Sequence, residues 1–135
     1  MMKPFCINLK SGERIFINGA VLRVDRKVSI EFLNDVSFLL EAHVMQPEQA
    51  TTPFRQLYFT VQAMLIDPAN AAAVRQQFET MHTDLSGAVS TPELMDALTE
   101  VRRLVSPQRY YEALKTLRGC FAAEDNIFRG SGPVS

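Results

Sequence analysis

The sequence has no tryptophan, only two cysteines and six glycines, no surplus of either charge and no long apolar run in its 135 residues. Each shortage excludes something. Cys6 and Cys120 stand at opposite ends of the chain, which suits free thiols in a reducing compartment and not a disulfide framework. Fourteen basic residues against fifteen acidic ones leave a net charge of −1. That balance provides no global attraction for nucleic acid, so any such binding has to come from a local patch. No apolar stretch approaches the roughly 20 residues of a membrane helix. Before the proline at position 4 the one charged residue is Lys3, and no apolar run of roughly 7–15 residues follows, as a secretory signal would need, so the expected location is the cytoplasm. With 47% hydrophobic residues, disorder is excluded, and a chain of this size buries roughly two-thirds of its unfolded surface.

Signatures of catalysis are missing too. His43 and His82 lie near no cysteine, and no pair has metal-ligand spacing. There is no G-x-S-x-G elbow, P-loop or dinucleotide glycine run. The sequence therefore predicts no enzyme, no catalytic residue, no metal site and no cofactor. Both histidines read as surface or boundary residues. Glu112, Glu124 and Asp125 lie within pairing reach of Arg109, Lys115 and Arg118. With Arg102 and Arg103, those cations read as a solvated face. The RRM aromatic motif and the KH G-x-x-G loop are absent as well.

What is present falls into two halves, an α+β arrangement. Turn signals at Ser11-Gly12, Asn18-Gly19, Asp25-Arg26-Lys27 and Asn34-Asp35 separate short stretches rich in Ile, Val, Phe and Leu. This spacing predicts an N-terminal antiparallel β meander of four to five strands over residues 1–48. Asn18-Gly19 suits a type I′ hairpin, which needs positive φ at both central residues. A two-residue loop there pairs Ile17 with Ala20, Ile15 with Leu22 and Arg14 with Arg23. For the next turn, a three-residue loop through Lys27 aligns Val28 and Ile30 with Val24 and Leu22, the better apolar match. One face then holds Ile15, Ile17, Leu22, Val24, Val28 and Ile30. The other holds Arg14, Phe16, Val21, Arg23, Ser29 and Glu31.

Two arginines directly opposite one another are destabilising unless an anion answers them. Two readings stay open. Glu31 or Glu13 neutralises them on a wet sheet face, or they form a small anion-binding platform with Phe16 as a stacking surface between them.

Residues 49–128 read as a bundle of about four helices. Thr52-Pro53, Asp67-Pro68, Thr91-Pro92 and Ser106-Pro107 each place a capping side chain before a proline suited to the first helical position. Three helices share an i, i+4, i+7, i+11 stripe: Val74, Phe78, Met81, Leu85; Leu94, Leu98, Val101, Val105; and Tyr110, Leu114, Leu117, Phe121. The first helix is apolar over most of its circumference, with a narrow polar strip of Arg55, Gln56, Thr60 and Gln62. It is expected between the sheet and the other helices or in a subunit interface. Residues 129–135 read as a disordered tail.

The run Leu9-Lys10-Ser11-Gly12-Glu13-Arg14-Ile15-Phe16-Ile17-Asn18-Gly19-Ala20-Val21 closely resembles the FlbT family of flagellin synthesis regulators. So do Pro47 to Pro53 with Arg55 and Leu57-Tyr58-Phe59, and Tyr111-Glu112-Ala113-Leu114 with Leu117-Arg118 and Glu124-Asp125. The resemblance runs from about Ile7 to Asp125, with Ala69 to Ser106 matching in pattern only. It implies a cytoplasmic bacterial repressor that associates with the 5′ untranslated region of flagellin mRNA and promotes its decay, with FlaF as a companion regulator. A fainter similarity to CsrA-type translational regulators, at the Gly12-Glu13 turn and Ile15/Ile17, concerns the sheet alone.

Leader RNAs are recognised in single-stranded loops, by cations on phosphates and rings under bases. The candidate RNA-binding residues are accordingly Arg14, Phe16 and Arg23, extended by Arg26 and Lys27, with Arg55 as a further phosphate contact or as a charge satisfied by Glu48. The alternative is a protein-binding adaptor acting through flagellin, FlaF or another partner. Its surface would be the first helix or an exposed sheet edge, either of which would also serve a homodimer.

Overall fold

Five strands precede five helices in the computed structural model, which describes residues 5–130. The strands are β1 (Phe5–Leu9), β2 (Arg14–Ile17), β3 (Ala20–Arg23), β4 (Val28–Phe32) and β5 (Phe38–Leu40). After short 3-10 turns at Glu41–His43 and Pro47–Gln49 come α1 (Pro53–Ile66), a third such turn at Pro68–Asn70, α2 (Ala71–Ala88), α3 (Pro92–Val105), α4 (Tyr110–Arg118) and α5 (Phe121–Gly130). The α+β class and the order of its halves are as the sequence predicts. The predicted tail from residue 131 onward lies outside the described residues.

Asn18 and Gly19 both adopt positive φ, 47° and 88°, and β2 and β3 pair as Ile17↔Ala20, Ile15↔Leu22 and Arg14↔Arg23. A side chain at Gly19 would be strained by its φ and would also stand 3.1 Å from the Pro68 ring, so the hairpin tip needs glycine twice over. The strand connectivity beyond the hairpin corrects the expected meander. β4 does not pair with β3; it pairs antiparallel with β1, as Leu9↔Val28 through Phe5↔Phe32, and the second sheet has the order β3-β2-β5.

Burial explains the difference. Pairing β1 with β4 gives a ribbon with Phe5, Ile7, Leu9, Val28, Ile30 and Phe32 on one face. That face stacks on Ile15, Ile17, Phe38 and Leu40 in one cluster that includes Val24. Val28 and Ile30 thus join Ile15, Ile17 and Val24 by stacking and not by hairpin, while Leu22, the expected partner of Ile30, stays outside the cluster and exposed. Ser29 and Glu31 consequently lie on the ribbon's exposed outer face, away from the arginines.

The opposite face of the β3-β2-β5 sheet meets the helices: Leu39 is fully buried in the helical core, and Phe16 packs against it. The molecule is thus layered as ribbon, sheet and helices. α1 lies between the sheet and the other helices, with Leu57, Val61 and Met64 wholly buried. Thr52 caps it, accepting a 3.3 Å bond from the Arg55 amide. Two members of its predicted polar strip are buried: Thr60 and Gln62. The Gln62 amide is satisfied by the backbone of Met45, at 2.7 Å to its N–H and 2.9 Å to its carbonyl.

The stripes of α2 and α3 hold, with α3 burying Leu94, Leu98, Val101 and Val105. His82 of α2 is buried and not at the surface, its Nε2 2.7 Å from the Leu98 carbonyl. Ser106-Pro107 does not start a helix. The Arg109 amide bonds to the Leu104 carbonyl and the Gln108 amide to that of Val105, both at 2.9 Å, with Gln108 at φ 66°. This is a Schellman ending of α3 with glutamine at the usual glycine position. The last predicted helix begins three residues later, at Tyr110, and is broken at Gly119 into α4 and α5.

Candidate nucleic-acid interface

Strand order brings cations to one end of the β layers. The Lys10–Glu13 turn is closed by a 3.0 Å bond from the Glu13 amide to the Lys10 carbonyl. It is tied to the segment after β3 by Gly12 N–H to the Val24 carbonyl, 2.8 Å, and Val24 N–H to that of Glu13, 3.1 Å. The Ser11 hydroxyl adds a 3.1 Å bond to the Asp25 carbonyl. Lys10, Arg14, Arg23, Arg26 and Lys27 therefore share this end, all exposed. Among the carboxylates there are Glu13, Asp25 and Glu41.

Arg14 faces Arg23 across the hairpin. The like-charge pair is answered by a residue the sequence reading did not single out. Glu41, in the turn after β5, accepts the Arg14 backbone N–H at 2.8 Å and its guanidinium at 3.3 Å. These bonds hold the Glu41 carboxyl below its ordinary pKa. Glu31 is on the other sheet's outer face, and Glu13 instead accepts the Lys10 backbone N–H at 2.6 Å. Arg23 makes no ion pair among the described residues, so its charge faces solvent. Arg26 pairs with Asp25 at 3.2 Å, both side chains about four-fifths exposed (78% and 83%), a contact worth little. Lys10 is the cation the sequence reading missed; only the turn pinning places it here.

Two expected site residues stand elsewhere in role. Phe16 shares the face of Arg14 and Arg23, with its ring half-buried against the helical core. Arg55 is directed inward. Its guanidinium grips Asp125 with two bonds, 2.8 and 3.0 Å, reaches Glu124 at 3.4 Å and lies 4.7 Å over the Phe121 ring. Its partners are the acids of α5 and not Glu48, because α5 packs across the start of α1.

Three of the remaining described basic residues are ion-paired. Arg102 pairs with Glu79, Arg103 with Glu100, and Arg109 with both Asp35 and Glu112. Arg118 donates to the Tyr58 hydroxyl at 3.0 Å, and that hydroxyl donates to the His43 carbonyl at 2.7 Å. Among the described residues no group of three or more His, Cys, Asp or Glu could hold a metal ion, and no helix is long and apolar enough to cross a membrane.

The family model described as Flagellar protein FlbT matches residues 5–128. The chain is 55% identical over 127 residues to the probable flagellum biosynthesis repressor protein FlbT of Rhizobium leguminosarum bv. trifolii strain WSM2304, across 94% of this chain and 85% of that protein. Against the protein of the same description from Agrobacterium fabrum strain C58 the identity is 51%, with the same coverage. It is 48% over 134 residues for that of Mesorhizobium japonicum, spanning 99% and 91% of the two chains. No solved structure matches. A match of this extent, carried through both the strands and the helices, makes the chain a member of the FlbT family.

Proposed function

We propose that this protein represses flagellum biosynthesis after transcription, by associating with the 5′ untranslated region of flagellin mRNA and promoting its decay. The relatives described as probable flagellum biosynthesis repressors support the repressor role. The observation that carries the RNA contact is the Arg14↔Arg23 pair on one exposed end, with Lys10, Arg26 and Lys27 beside it. Single-stranded phosphates are the anions such a cluster suits. Five cations, two of them held by carboxylates, support a modest electrostatic affinity that falls with salt. The reading leaves out Phe16, half-buried against the helical core, and Arg55, bound to the acids of α5.

Filter-binding titration of flagellin leader RNA against a scrambled control tests the reading. The expected result is specific retention that weakens, with a shallower salt slope, in Arg14→Ala/Arg23→Ala. Unchanged affinity and slope in that variant would remove the interface.

The free edge of β3 supports a second reading, an adaptor for flagellin, FlaF or a second copy of the chain. Its four residues are all exposed, Val21 and Leu22 by 58% and 43%, and an unpaired edge invites strand addition. Under this reading the purified protein retains no leader RNA yet captures a protein partner.

A further inference from the structure

At the end of the strands opposite the cations, the layers leave a cleft of about 500 Å³, within the roughly 300–1,000 Å³ range of ligand sites. Antiparallel pairing makes the two ends distinct. Leu9, Val28, Arg14 and Leu40 lie toward the cationic end; Phe5, Phe32, Ile17 and Phe38 lie toward the cleft. One wall is aromatic. Phe38 stacks on Tyr111 of α4 with centroids 4.3 Å apart, Phe32 lies 4.8 Å from Phe38, and Phe5 sits 6.0 Å from Tyr111. Phe5 remains 43% exposed at the rim, so part of this wall is unsatisfied apolar surface.

The mouth is polar and built across layers. Arg109 joins Asp35, at 2.6 Å, to Glu112, all three side chains being two-fifths to one-half exposed. The Ser37 hydroxyl bonds to the carbonyl of Gln108 at 3.2 Å, and Gln108 is one of two non-glycine residues at positive φ among the described residues. Asn18 and Asn34 complete the rim with neutral amides. Among the lining residues two carboxylates stand against one guanidinium, which is held by both; Arg103, near Glu112, is itself paired with Glu100.

We propose that this cleft is a docking site for a peptide segment of a partner protein, one that carries an aromatic or large aliphatic side chain with a lysine or arginine beside it. The apolar side chain enters against Phe5, Phe32 and Tyr111. The basic residue meets Asp35 and Glu112, whose combined charge exceeds that of Arg109. Neutral amides at Asn18, Asn34 and Gln108 match the donors and acceptors of a peptide backbone. The same net negative rim repels phosphate, so a nucleotide or RNA is the wrong occupant. This inference is independent of the RNA contact, which lies at the other end of the same strands.

A random peptide library displayed on phage, selected against the full chain, tests it. Selected peptides are synthesised and titrated by fluorescence anisotropy against the wild type, Phe5→Ala, Asp35→Lys and Arg14→Ala/Arg23→Ala. The expected result is a motif joining an aromatic or aliphatic residue to a basic one. Binding should weaken about fivefold or more in Phe5→Ala and in Asp35→Lys, and about tenfold when the peptide's basic residue becomes glutamate. The double arginine variant should bind as the wild type does, whatever its RNA affinity. Circular dichroism confirms that each variant is folded. The proposal is overturned if no peptide is selected, if the motif is acidic, if both cleft variants bind normally, or if single-stranded RNA displaces the peptide. Peptides that bind only after residues 1–4 are removed would assign the cleft to the chain's own N-terminus and overturn it equally.

Discussion

Glu124 of α5 accepts a 2.8 Å hydrogen bond from the backbone amide of Phe54, in the first turn of α1. The same carboxylate, 3% exposed, accepts the Thr52 hydroxyl at 2.6 Å and lies 3.4 Å from Arg55. An acid placed at a helix N-terminus satisfies orphan amides and complements the dipole. Here it comes from 70 residues downstream, so the end of the chain holds the start of the helical core.

That geometry makes Glu124 a stability residue. Glu124→Ala leaves the buried Phe54 amide unpaired and takes the acceptor from the half-buried Thr52 hydroxyl, an expected loss of about 2–4 kcal/mol, read as a lower urea midpoint. Arg55→Ala should also destabilise, and the double variant should cost less than the sum, since the groups share one network. Leader RNA affinity should be unchanged in Arg55→Ala. A Glu124→Ala protein within about 0.5 kcal/mol of the wild type, the scale of an ordinary surface change, would contradict this account.

The two thiols should react at very different rates. Cys6 is exposed on β1, whereas Cys120 is buried. Burial, with Glu124 and Glu93 adding negative charge, pushes the Cys120 thiol up to about 11. Since the thiolate is the nucleophile, native protein at pH 8 should titrate one thiol quickly with a disulfide reagent and the second only on unfolding. Rapid labelling of Cys120 in the native state would show that the α4–α5 junction opens.

Stability should rise with pH from the acid side toward neutrality. Glu41 is held below its ordinary value of 4.5 by the Arg14 backbone N–H and guanidinium. Its contribution is complete above that value and is lost as pH falls through the lower folded value. His43 is held below 6.5, first by burial and then by the Arg118 charge. The unfolded chain therefore takes up its proton first, and stability falls as pH drops below about 6.5. Glu41→Gln should flatten the lower part of the denaturation profile and His43→Gln the upper part. Glu41→Gln should also tighten leader RNA binding, because Arg14 loses its neutralising partner. A profile in which stability increases on acidification would refute both assignments.

Some of these features were legible one residue at a time. Asn18-Gly19 admits essentially one hairpin, because both residues must take positive φ, and that alone places Arg14 opposite Arg23. The near-continuous apolar circumference of α1 called for cover on more than one side, within the fold or in a subunit interface, and the fold supplies it. Other features depend on residues far apart in the chain. His82 reads as a boundary histidine until the Leu98 carbonyl meets its ring, and Gln62 as a solvated glutamine until Met45 occupies its amide. The partner of Arg55 could not be read locally, since Glu48 and the acids near position 125 are equally plausible by charge.

Period-two alternation and turn chemistry were enough to determine the strands and the hairpin register, and helix-period stripes with proline starts gave the helical half, though not the start of α4 or the break at Gly119. Only the tertiary structure decided that β4 joins β1 and not β3. Pairing and stacking both bring Val28 and Ile30 to Ile15 and Val24, and the apolar pattern is the same for each. What separates them is that stacking covers both faces of the β3-β2-β5 sheet, ribbon on one side and helices on the other. That same layering half-buries Phe16 and opens an aromatic cleft where the strands end.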